Sequence, residues 1–439
     1  MREFKLKAVL FVGGLLALGI ANGVYFDDSY ISYTENRRLA PWPEWSYEDF
    51  FSGAYTTGID DFLRDRFLYR EAWIDLSTKL SSFQGLKTQD DFVLLTTNGA
   101  NEAAAGEEKT VRSAKIVHDV AHYPDDIGML IPVKPEKGVD VSKVEFSDDY
   151  KTNILIYDQK GMTSYVYKPD TVDRLAEAYN HFSDNYLDKL KVYVLMAPSP
   201  VAFVDDDYAR YTDNQYDAIQ QFYDGLEHDI VKIDPYSALA AHQDEYIYFR
   251  TDHHWTSLGA YYAYTEACKK MGFKPYDLTA FDELTDIDFL GSIYNLTQSD
   301  VLKTHDDKIS AYVPKANVTY KVFTSQSTLD YDSVISEDFD IDDYKYKLFL
   351  GGDFGLAVID NLDQPENGET LMIIKDSYGN ALTPYFVNHF KRIVVVDLRY
   401  TSKSVGELVN EYGVNRLMLV NSGQALAAES YADILENVN

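Results

Sequence analysis

The 439-residue sequence contains a single cysteine, Cys268, and far fewer basic than acidic residues. One cysteine cannot form an intramolecular disulfide, and it cannot supply the thiolates of a cysteine-rich metal cage. The formal net charge is -31 and no basic block is present, which excludes a nucleic-acid partner because so acidic a chain repels phosphate backbones. With 46% hydrophobic residues the chain is too apolar for a disordered protein, so we expect a packed core.

A long apolar run lies near the N-terminus. After three basic residues, positions 8–25 read AVLFVGGLLALGIANGVY without a charge, which is about the length of a bilayer span. The pattern favours a membrane anchor within residues 1–25. A cleaved signal peptide is the alternative, because the small residues at 21–23 suit a signal peptidase. In either case we expect the rest of the protein to be extracytoplasmic.

The rest of the chain has two parts. Residues 26–85 show apolar positions at helical spacing and predict a helical lead-in. Residues 86–439 alternate helical patterns with short apolar runs, among them DFVLLTTN, KVYVLMAPSP, DIVKIDP, TLMIIKDS, RIVVVDL and RLMLVNS. Continuous apolar runs indicate strands that are buried on both faces, so they predict an α/β domain with a mainly parallel, doubly wound sheet.

Two stretches depart from that rhythm. Residues 152–167 read as a hairpin, and residues 280–350 read as a β-rich insertion in the α/β domain. Within the insertion, ISAYVPKANVTYKVFTS alternates polar and apolar residues, which predicts a half-exposed antiparallel hairpin.

Reactive groups of open α/β sheets lie at the carboxyl ends of strands. In TLMIIKDSYGNALTPYF, the predicted strand 371–374 is followed by Ser377 and by a helix that we expect to begin near Ala381. A serine at such a turn presents its hydroxyl above the sheet, where helix-start amides can stabilise an oxyanion. The alternative is that Ser377 only caps the helix.

The stretch YFRTDHHWTSLGAYYAY supplies a base and a carboxylate next to each other. A helix is predicted to begin near Thr256 or Ser257 and to end before Gly272. Asp252 can accept from Nδ1 of His254, which leaves Nε2 to take the proton of Ser377. A metal site of Asp252, His253 and His254 is the alternative, although adjacent histidine side chains diverge and the sequence shows no further ligand.

Together, TDHHWTSLGAYYAY and IKDSYGNALTPYF resemble segments of the DHHW proteins, exported bacterial relatives of the alginate O-acetylation proteins in the SGNH-hydrolase-like superfamily. The resemblance extends in order to ENRRLAPWPEWS, DDFLRDRFLYRE, DFLGSIYN, FLGGDF and VVDLRY. It implies a three-layer α/β/α fold and a triad of Asp252, His254 and Ser377, with His253 not the base. Lys375 replaces the glycine that usually precedes the Asp-Ser pair.

Further site residues are predicted from their positions after strands. The candidates for the oxyanion site are the Ser377 amide, Asn380, Gly351 and Gly352. Arg399 and Tyr400, which follow the strand RIVVVDL, are candidates for substrate binding, with a salt bridge and a core tyrosine as the alternative. Trp255 and Tyr378, with Tyr262, are candidates for a rim that stacks on sugars, with a chance cluster of aromatic residues as the alternative.

The sequence therefore predicts a serine O-acetyltransferase or acetylesterase that acts on a cell-envelope or secreted polysaccharide. No cofactor and no metal are implied. The resemblance implies a membrane-bound O-acyltransferase as the acyl donor partner, and the N-terminal helix would hold the protein at the membrane. A metal-dependent hydrolase and a non-catalytic polysaccharide-binding or scaffold protein are the alternatives.

Overall fold

The structure, a computed structural model of the chain, describes residues 31–32, 37–38, 42–43, 45–65, 67, 92–95, 154–204, 211–324, 327–339, 341, 344–363, 365, 368–401 and 403–437. The predicted membrane span at residues 8–25 lies outside these ranges. Within them, no helix is both long enough and apolar enough to cross a membrane.

The chain divides into two compact units, one of residues 1–89 with 295–298 and one of residues 90–294 with 299–439. The described elements before residue 90 are two short paired strands and two helices: β1 (Ile31–Ser32), β2 (Arg37–Arg38), α1 (Tyr47–Ser52) and α2 (Ala54–Asp65). Phe62 of α2 is buried, and its ring packs edge-on against that of Trp42, with the two ring centroids 5.0 Å apart. That residues 26–85 form a separate helical lead-in stays a prediction.

The second unit begins with a three-stranded antiparallel sheet of β3 (Phe92–Leu95), β4 (Ile154–Tyr157) and β5 (Lys160–Thr163). The hairpin predicted over residues 152–167 is confirmed as β4 and β5. The run DFVLLTTN was predicted to belong to the parallel sheet, which is wrong, since β3 pairs antiparallel with β4. An apolar run indicates a strand but does not identify its partner.

A larger sheet forms the centre of this unit. The remaining strands are β6 (Lys191–Ala197), β7 (Val231–Ile233), β8 (Phe281–Phe289), β9 (Asp307–Pro314), β10 (Val318–Phe323), β11 (Thr328–Tyr331), β12 (Leu356–Asn361), β13 (Thr370–Lys375), β14 (Arg392–Val396) and β15 (Arg416–Ser422). Eight of them form one sheet in the order β11-β10-β12-β14-β13-β15-β6-β7. The strands from β14 to β7 are parallel, and β12, β10 and β11 continue the sheet antiparallel.

Helices cover both faces of this sheet. The helices after residue 154 are α3 (Pro169–Asp184), α4 (Gln215–Gly225), α5 (Tyr236–Ala241), α6 (Ser257–Met271), α7 (Ser292–Thr297), α8 (Asp300–Lys303), α9 (Tyr378–Leu382), α10 (Val405–Tyr412) and α11 (Glu429–Asn437). On one face, alternate strand residues such as Val194, Met372 and Leu419 share an apolar core with α3, α4, α10 and α11. On the other, α6 packs against β7, and α9 packs against β13 and β15. The predicted α/β architecture with a large, mainly parallel sheet is confirmed.

The region 280–350 contributes to two sheets. β8 and β9 form a two-stranded antiparallel sheet of their own, whereas β10 and β11 belong to the central sheet. The hairpin predicted within residues 309–325 is therefore wrong, because β9 pairs with β8 while β10 pairs with β11 and β12. Alternation of polar and apolar residues shows which face of a strand is buried and leaves the pairing open.

Candidate active site

The loop before α6 carries Asp252 and His254 in a closed turn. Tyr248 and Trp255 form an isolated antiparallel bridge across it. The carboxylate of Asp307 accepts from the Thr251 amide at 2.7 Å and so fixes the residue before Asp252. Thr256 then caps α6, with its hydroxyl oxygen accepting from the Gly259 amide at 3.3 Å. The helix begins at Ser257 and ends at Met271, which confirms the predicted bounds.

Ser377 lies between β13, which ends at Lys375, and α9, which begins at Tyr378. The helix starts three residues before the predicted Ala381. Ser377 occupies the N-cap position but makes no side-chain capping bond, so the capping alternative does not describe its hydroxyl. Asp376 stabilises the turn instead, because its carboxylate accepts from the amides of Tyr378 at 2.9 Å and Ser422 at 2.7 Å.

Lys375 takes the place of the glycine that the resemblance leads one to expect, and the turn accommodates it through Gly379. A Cβ at position 379 would lie 2.5 Å from the Cβ of Lys375, so only glycine leaves room for the lysine stem. The Lys375 ammonium is buried and donates to Oδ1 of Asp353 at 2.6 Å. The turn is therefore supported by a buried ion pair.

The three predicted triad residues lie in one hydrogen-bonded row. Nδ1 of His254 is 2.6 Å from Oδ1 of Asp252, and Nε2 of His254 is 2.7 Å from Oγ of Ser377. All three side chains are buried, with exposed fractions of 0% for Asp252, 1% for His254 and 6% for Ser377. An imidazole held between a carboxylate and a hydroxyl can accept the hydroxyl proton while the carboxylate stabilises the imidazolium that results.

The second oxygen of Asp252 is held by two further donors. The Ser292 amide donates to Oδ2 at 2.8 Å, and the Tyr344 hydroxyl donates to the same atom at 2.7 Å. Burial alone would raise the pKa of Asp252, but the adjacent imidazoles of His254 and His253 and the Ser292 amide hold it well below its usual range. Asp252 is therefore ionised and fixed in orientation.

His253 lies beside the row and is not part of it. Its Nδ1 is 2.6 Å from Oγ of Ser292, and its ring centroid is 3.8 Å from that of His254. Burial, reinforced by the charge of His254, lowers the pKa of His253 to about 4, although the negative charge of Asp252 acts in the opposite direction. His253 is thus neutral near pH 7 and places no positive charge beside His254.

Asp252, His253 and His254 also form a group whose ligand atoms all lie within 4.8 Å of one another, which is close enough for one metal ion to contact all three. The donor set fits a metal poorly. Both nitrogens of His254 face hydrogen-bonding partners, and both oxygens of Asp252 already accept hydrogen bonds. A metal would have to displace these bonds, so the arrangement favours proton transfer over metal binding.

The predicted oxyanion candidates are not equivalent in the structure. Asn380 is buried, and its Nδ2 donates to Oδ1 of Asp353 at 2.9 Å, while its Oδ1 has no hydrogen-bond partner within the described ranges. Gly351 and Gly352 have φ values of 72° and 112°, and the Gly352 amide donates to the Phe349 carbonyl at 3.2 Å. That amide is occupied within a turn, and the roles of the other candidates stay predictions.

Arg399 is bound within an ion-pair cluster. Its guanidinium donates to Asp397 at 2.7 Å and to Asp353 at 3.1 Å, and it lies 5.0 Å from the ring centroid of Tyr400. The Arg399 side chain is 20% exposed, so part of it reaches the surface. Substrate contact by Arg399 and Tyr400 stays a prediction, and the geometry gives Arg399 a structural role in the cluster.

The predicted stacking rim of Trp255 and Tyr378 is wrong. Trp255 is 0% exposed and donates through Nε1 to the Tyr378 carbonyl at 3.0 Å. Tyr378 is 2% exposed and its hydroxyl donates to the His253 carbonyl at 2.6 Å. Both rings pack behind the site and join the two loops that carry it, so neither offers a face to a sugar.

Four residues of the site were not predicted: Ser292, Tyr344, Tyr346 and Asp353. Ser292 and Asp353 lie in the segments DFLGSIYN and FLGGDF, which carry part of the family resemblance and could have pointed to them. Tyr344 and Tyr346 lie in DDYKYK, which has no distinguishing pattern.

Comparison with known proteins agrees with this architecture. A solved DHHW family protein from Eubacterium siraeum is 27% identical, covers 65% of this chain and 95% of its own, and has a TM-score of 0.58. PatB1 from Bacillus cereus, solved with a sulfonyl adduct, is 18% identical over 65% of this chain and 97% of its own, with a TM-score of 0.52. A second PatB1 structure is 21% identical over 62% and 96%, with a TM-score of 0.51.

The PatB1 likenesses show that the fold is shared. No curated protein matches the sequence. A family model described as DHHW protein matches residues 109–396, which is more than half of the chain and contains all three residues of the hydrogen-bonded row. The chain therefore belongs to the DHHW protein family.

Proposed function

We propose that this protein transfers or removes acetyl groups on a cell-envelope or secreted polysaccharide, with Ser377 as the nucleophile. The observation that carries the proposal is the row from Asp252 through His254 to Ser377, with contacts of 2.6 and 2.7 Å. Such a row is the arrangement that activates a serine for acyl transfer. The sulfonyl adduct of PatB1, which shares the fold, suggests a matching reagent for the test.

In the first half of the proposed reaction, Oγ of Ser377 attacks the carbonyl carbon of the acetyl donor while Nε2 of His254 takes the hydroxyl proton. The bond from the carbonyl carbon to the donor oxygen then breaks, and His254 returns the proton to that oxygen. The product is acetylated Ser377. Asp252 remains ionised and stabilises the imidazolium throughout.

In the second half, a hydroxyl of the polysaccharide or of water attacks the acetyl carbon. His254 accepts its proton and gives it to Oγ of Ser377 as the ester bond to the enzyme breaks. The Ser377 amide, at the start of α9, is our first candidate donor to the transient oxyanion. The proton transferred in the first half comes from Ser377 and that in the second half from the attacking hydroxyl; His254 carries both, and the reaction requires no cofactor.

The location and partners that we propose follow from the N-terminal sequence and the family resemblance. The apolar run at residues 8–25 would anchor the protein on the extracytoplasmic side of the membrane. A membrane-bound O-acyltransferase would supply the acetyl group, and a polysaccharide would accept it. Transfer competes with hydrolysis, so the acceptor must be held close enough for its hydroxyl to react before water does.

The test is covalent labelling and turnover by the full chain in detergent. We expect a sulfonyl fluoride and an acetyl ester each to add a group to Ser377, detected by intact-mass and peptide mass spectrometry. Ser377→Ala should lose the label and nearly all turnover, on the order of several powers of ten. Ser183→Ala is the matched control, because Ser183 of α3 is a buried serine whose Oγ has no hydrogen-bond partner in the described ranges.

The products distinguish transfer from hydrolysis. With an acetyl ester and a glycan oligomer present, acetylated oligomer identifies a transferase, and acetate alone at saturating oligomer identifies an esterase. Absence of both labelling and turnover would leave the non-catalytic binding or scaffold role as the better account.

A metal-dependent hydrolase is the second candidate, since Asp252, His253 and His254 are close enough to share an ion. Loss of activity on chelation, with recovery on adding metal and no label on Ser377, would establish it in place of the serine mechanism.

A further inference from the structure

One short segment contacts all three members of the proposed triad. The Tyr344 hydroxyl donates to Oδ2 of Asp252 at 2.7 Å. The Tyr346 ring stacks on the His254 imidazole, with centroids 3.9 Å apart and planes 9° from parallel. The Tyr346 hydroxyl donates to the Ser377 carbonyl at 3.1 Å. Two tyrosines two positions apart thus touch the acid, the base and the backbone of the nucleophile.

Both tyrosines are buried, with exposed fractions of 8% for Tyr344 and 2% for Tyr346. Burial, together with the nearby charge of Asp252, raises the pKa of each hydroxyl well above its ordinary value, so both remain protonated donors at any working pH. A hydroxyl that donates to a buried carboxylate makes a charge-assisted bond, about twice as strong as a neutral one.

The bond from Tyr344 is one of four hydrogen bonds that orient the Asp252 carboxylate. The terminal torsion of an aspartate is broad, so the loss of one of these donors leaves the carboxylate freer to rotate. Oδ1 faces the His254 amide and Nδ1, and Oδ2 faces the Ser292 amide and the Tyr344 hydroxyl. Because each oxygen accepts two hydrogen bonds, Oδ1 stays directed at Nδ1 of His254.

Tyr346 has a complementary role at the imidazole. An imidazole is free to turn about its own terminal torsion, and the parallel Tyr346 ring restricts that rotation. The ring therefore keeps Nε2 directed at Oγ of Ser377.

We infer that Tyr344 and Tyr346 are positioning residues for acyl transfer at Ser377, Tyr344 by fixing the carboxylate of Asp252 and Tyr346 by fixing the plane of His254. The inference deepens the proposed function and rests on it. Neither tyrosine exchanges a proton with the substrate.

The test compares Tyr344→Phe, Tyr346→Leu and Tyr346→Phe with Tyr223→Phe in the full chain. Tyr223 is a suitable control because it is a buried tyrosine of α4 whose hydroxyl donates to the carbonyl of Ile233, outside the site. We expect Tyr344→Phe and Tyr346→Leu to lower kcat for an acetyl ester by about 10- to 100-fold with KM little changed. Tyr346→Phe keeps the stacked ring, so it should retain most of kcat.

The pH profile separates positioning from general loss of structure. Without the Tyr344 hydroxyl, the Asp252 carboxylate is held less firmly against Nδ1 of His254, so the acid limb of kcat/KM should be displaced from its native position by about half a unit. The other titratable or charged groups around His254 are unchanged in this variant. They are Asp252, His253, Tyr346, Tyr378, Asp353 and Arg399. The control should keep the native profile.

A second readout does not depend on activity. The proton on Nδ1 of His254, shared with Asp252, should give a downfield NMR resonance that is identified by its absence in His254→Gln. We expect Tyr344→Phe to displace or broaden this resonance and Tyr223→Phe to leave it in place. If the native protein turns over no ester, the proposed function fails, and a displaced resonance still supports positioning. A native resonance and profile in Tyr344→Phe would overturn the inference.

Discussion

Replacing Gly291 by alanine should damage the site from behind Asp252. A Cβ at position 291 would lie 2.3 Å from the Cβ, 2.6 Å from Oδ2 and 2.8 Å from the Cα of Asp252. These atoms cannot move aside like the end of a flexible side chain. The Gly291 amide also donates to the Thr251 hydroxyl at 2.9 Å and the Ser292 amide to Asp252, so the two backbones are tied together where they meet.

The expected magnitude follows from that geometry. Ordinary contacts begin at 3.4 Å, so the two segments must separate by about 1 Å in Gly291→Ala. Forcing extra volume into a packed interior costs about 1–3 kcal/mol of unfolding free energy. A displacement of about 1 Å at a catalytic carboxylate lowers kcat about 100-fold. We therefore expect both a lower midpoint in urea and a lower kcat for an acetyl ester.

Gly406 of α10 provides the control, because an added Cβ there has no atom within 4 Å. Alanine is a better helix former than glycine, so Gly406→Ala should gain about 0.5–1 kcal/mol of stability and keep its activity. The assays are urea unfolding followed by circular dichroism and initial rates per folded molecule. If Gly291→Ala matched the native protein in both, the proposed contact between this glycine and Asp252 would be refuted.

Three further outcomes are expected. His254→Ala should abolish most esterase activity, whereas His253→Ala should retain much of it and should not respond to added zinc in initial-rate assays; equal losses restored by metal would reverse this assignment. Burial lowers the pKa of His389 from 6.5 to about 4. The unfolded state therefore binds more protons between these values, and stability should fall by up to about 3 kcal/mol as the pH drops through this window; His389→Gln should flatten that slope in urea unfolding. Lys375→Met removes the cation that pairs with buried carboxylates, so it should lower the free energy of unfolding by about 3 kcal/mol. Lys269→Met removes an exposed ion pair and should lower it by less than about 1 kcal/mol in the same assay.

The convergence of the three residues of the proposed triad could be predicted because each step is local. Asp252 and His254 are two positions apart, so a tight turn brings them together, and the N-cap signal at Thr256 fixes where that turn ends. Ser377 lies two positions after the end of the apolar strand β13, and reactive residues occupy the ends of strands in α/β sheets. The remaining uncertainty was whether the two loops meet, and the contact of 2.7 Å between His254 and Ser377 answers it.

The supporting residues could not be predicted, since their roles depend on contacts between distant segments. Tyr344 reaches Asp252 across 92 positions of sequence, and no periodicity marks it. Aromatic residues near the motifs were equally ambiguous: Trp255 and Tyr378 suggested a binding rim, but their exposure depends on packing that composition does not reveal. The same limit applies to β9 and β10, whose alternation was read correctly but whose partners were not.

The position of β15 has a consequence for how the chain acquires its site during synthesis. β15, at residues 416–422, is the last strand of the chain, yet it lies between β13 and β6 in the middle of the sheet. The strand that leads to Ser377 therefore has no link to the N-terminal half of the sheet until the final part of the chain has emerged. Non-local pairing of this kind delays folding. A partly made chain therefore lacks the complete sheet on which the proposed site is built, because β13 is joined to β6 and β7 only through β15.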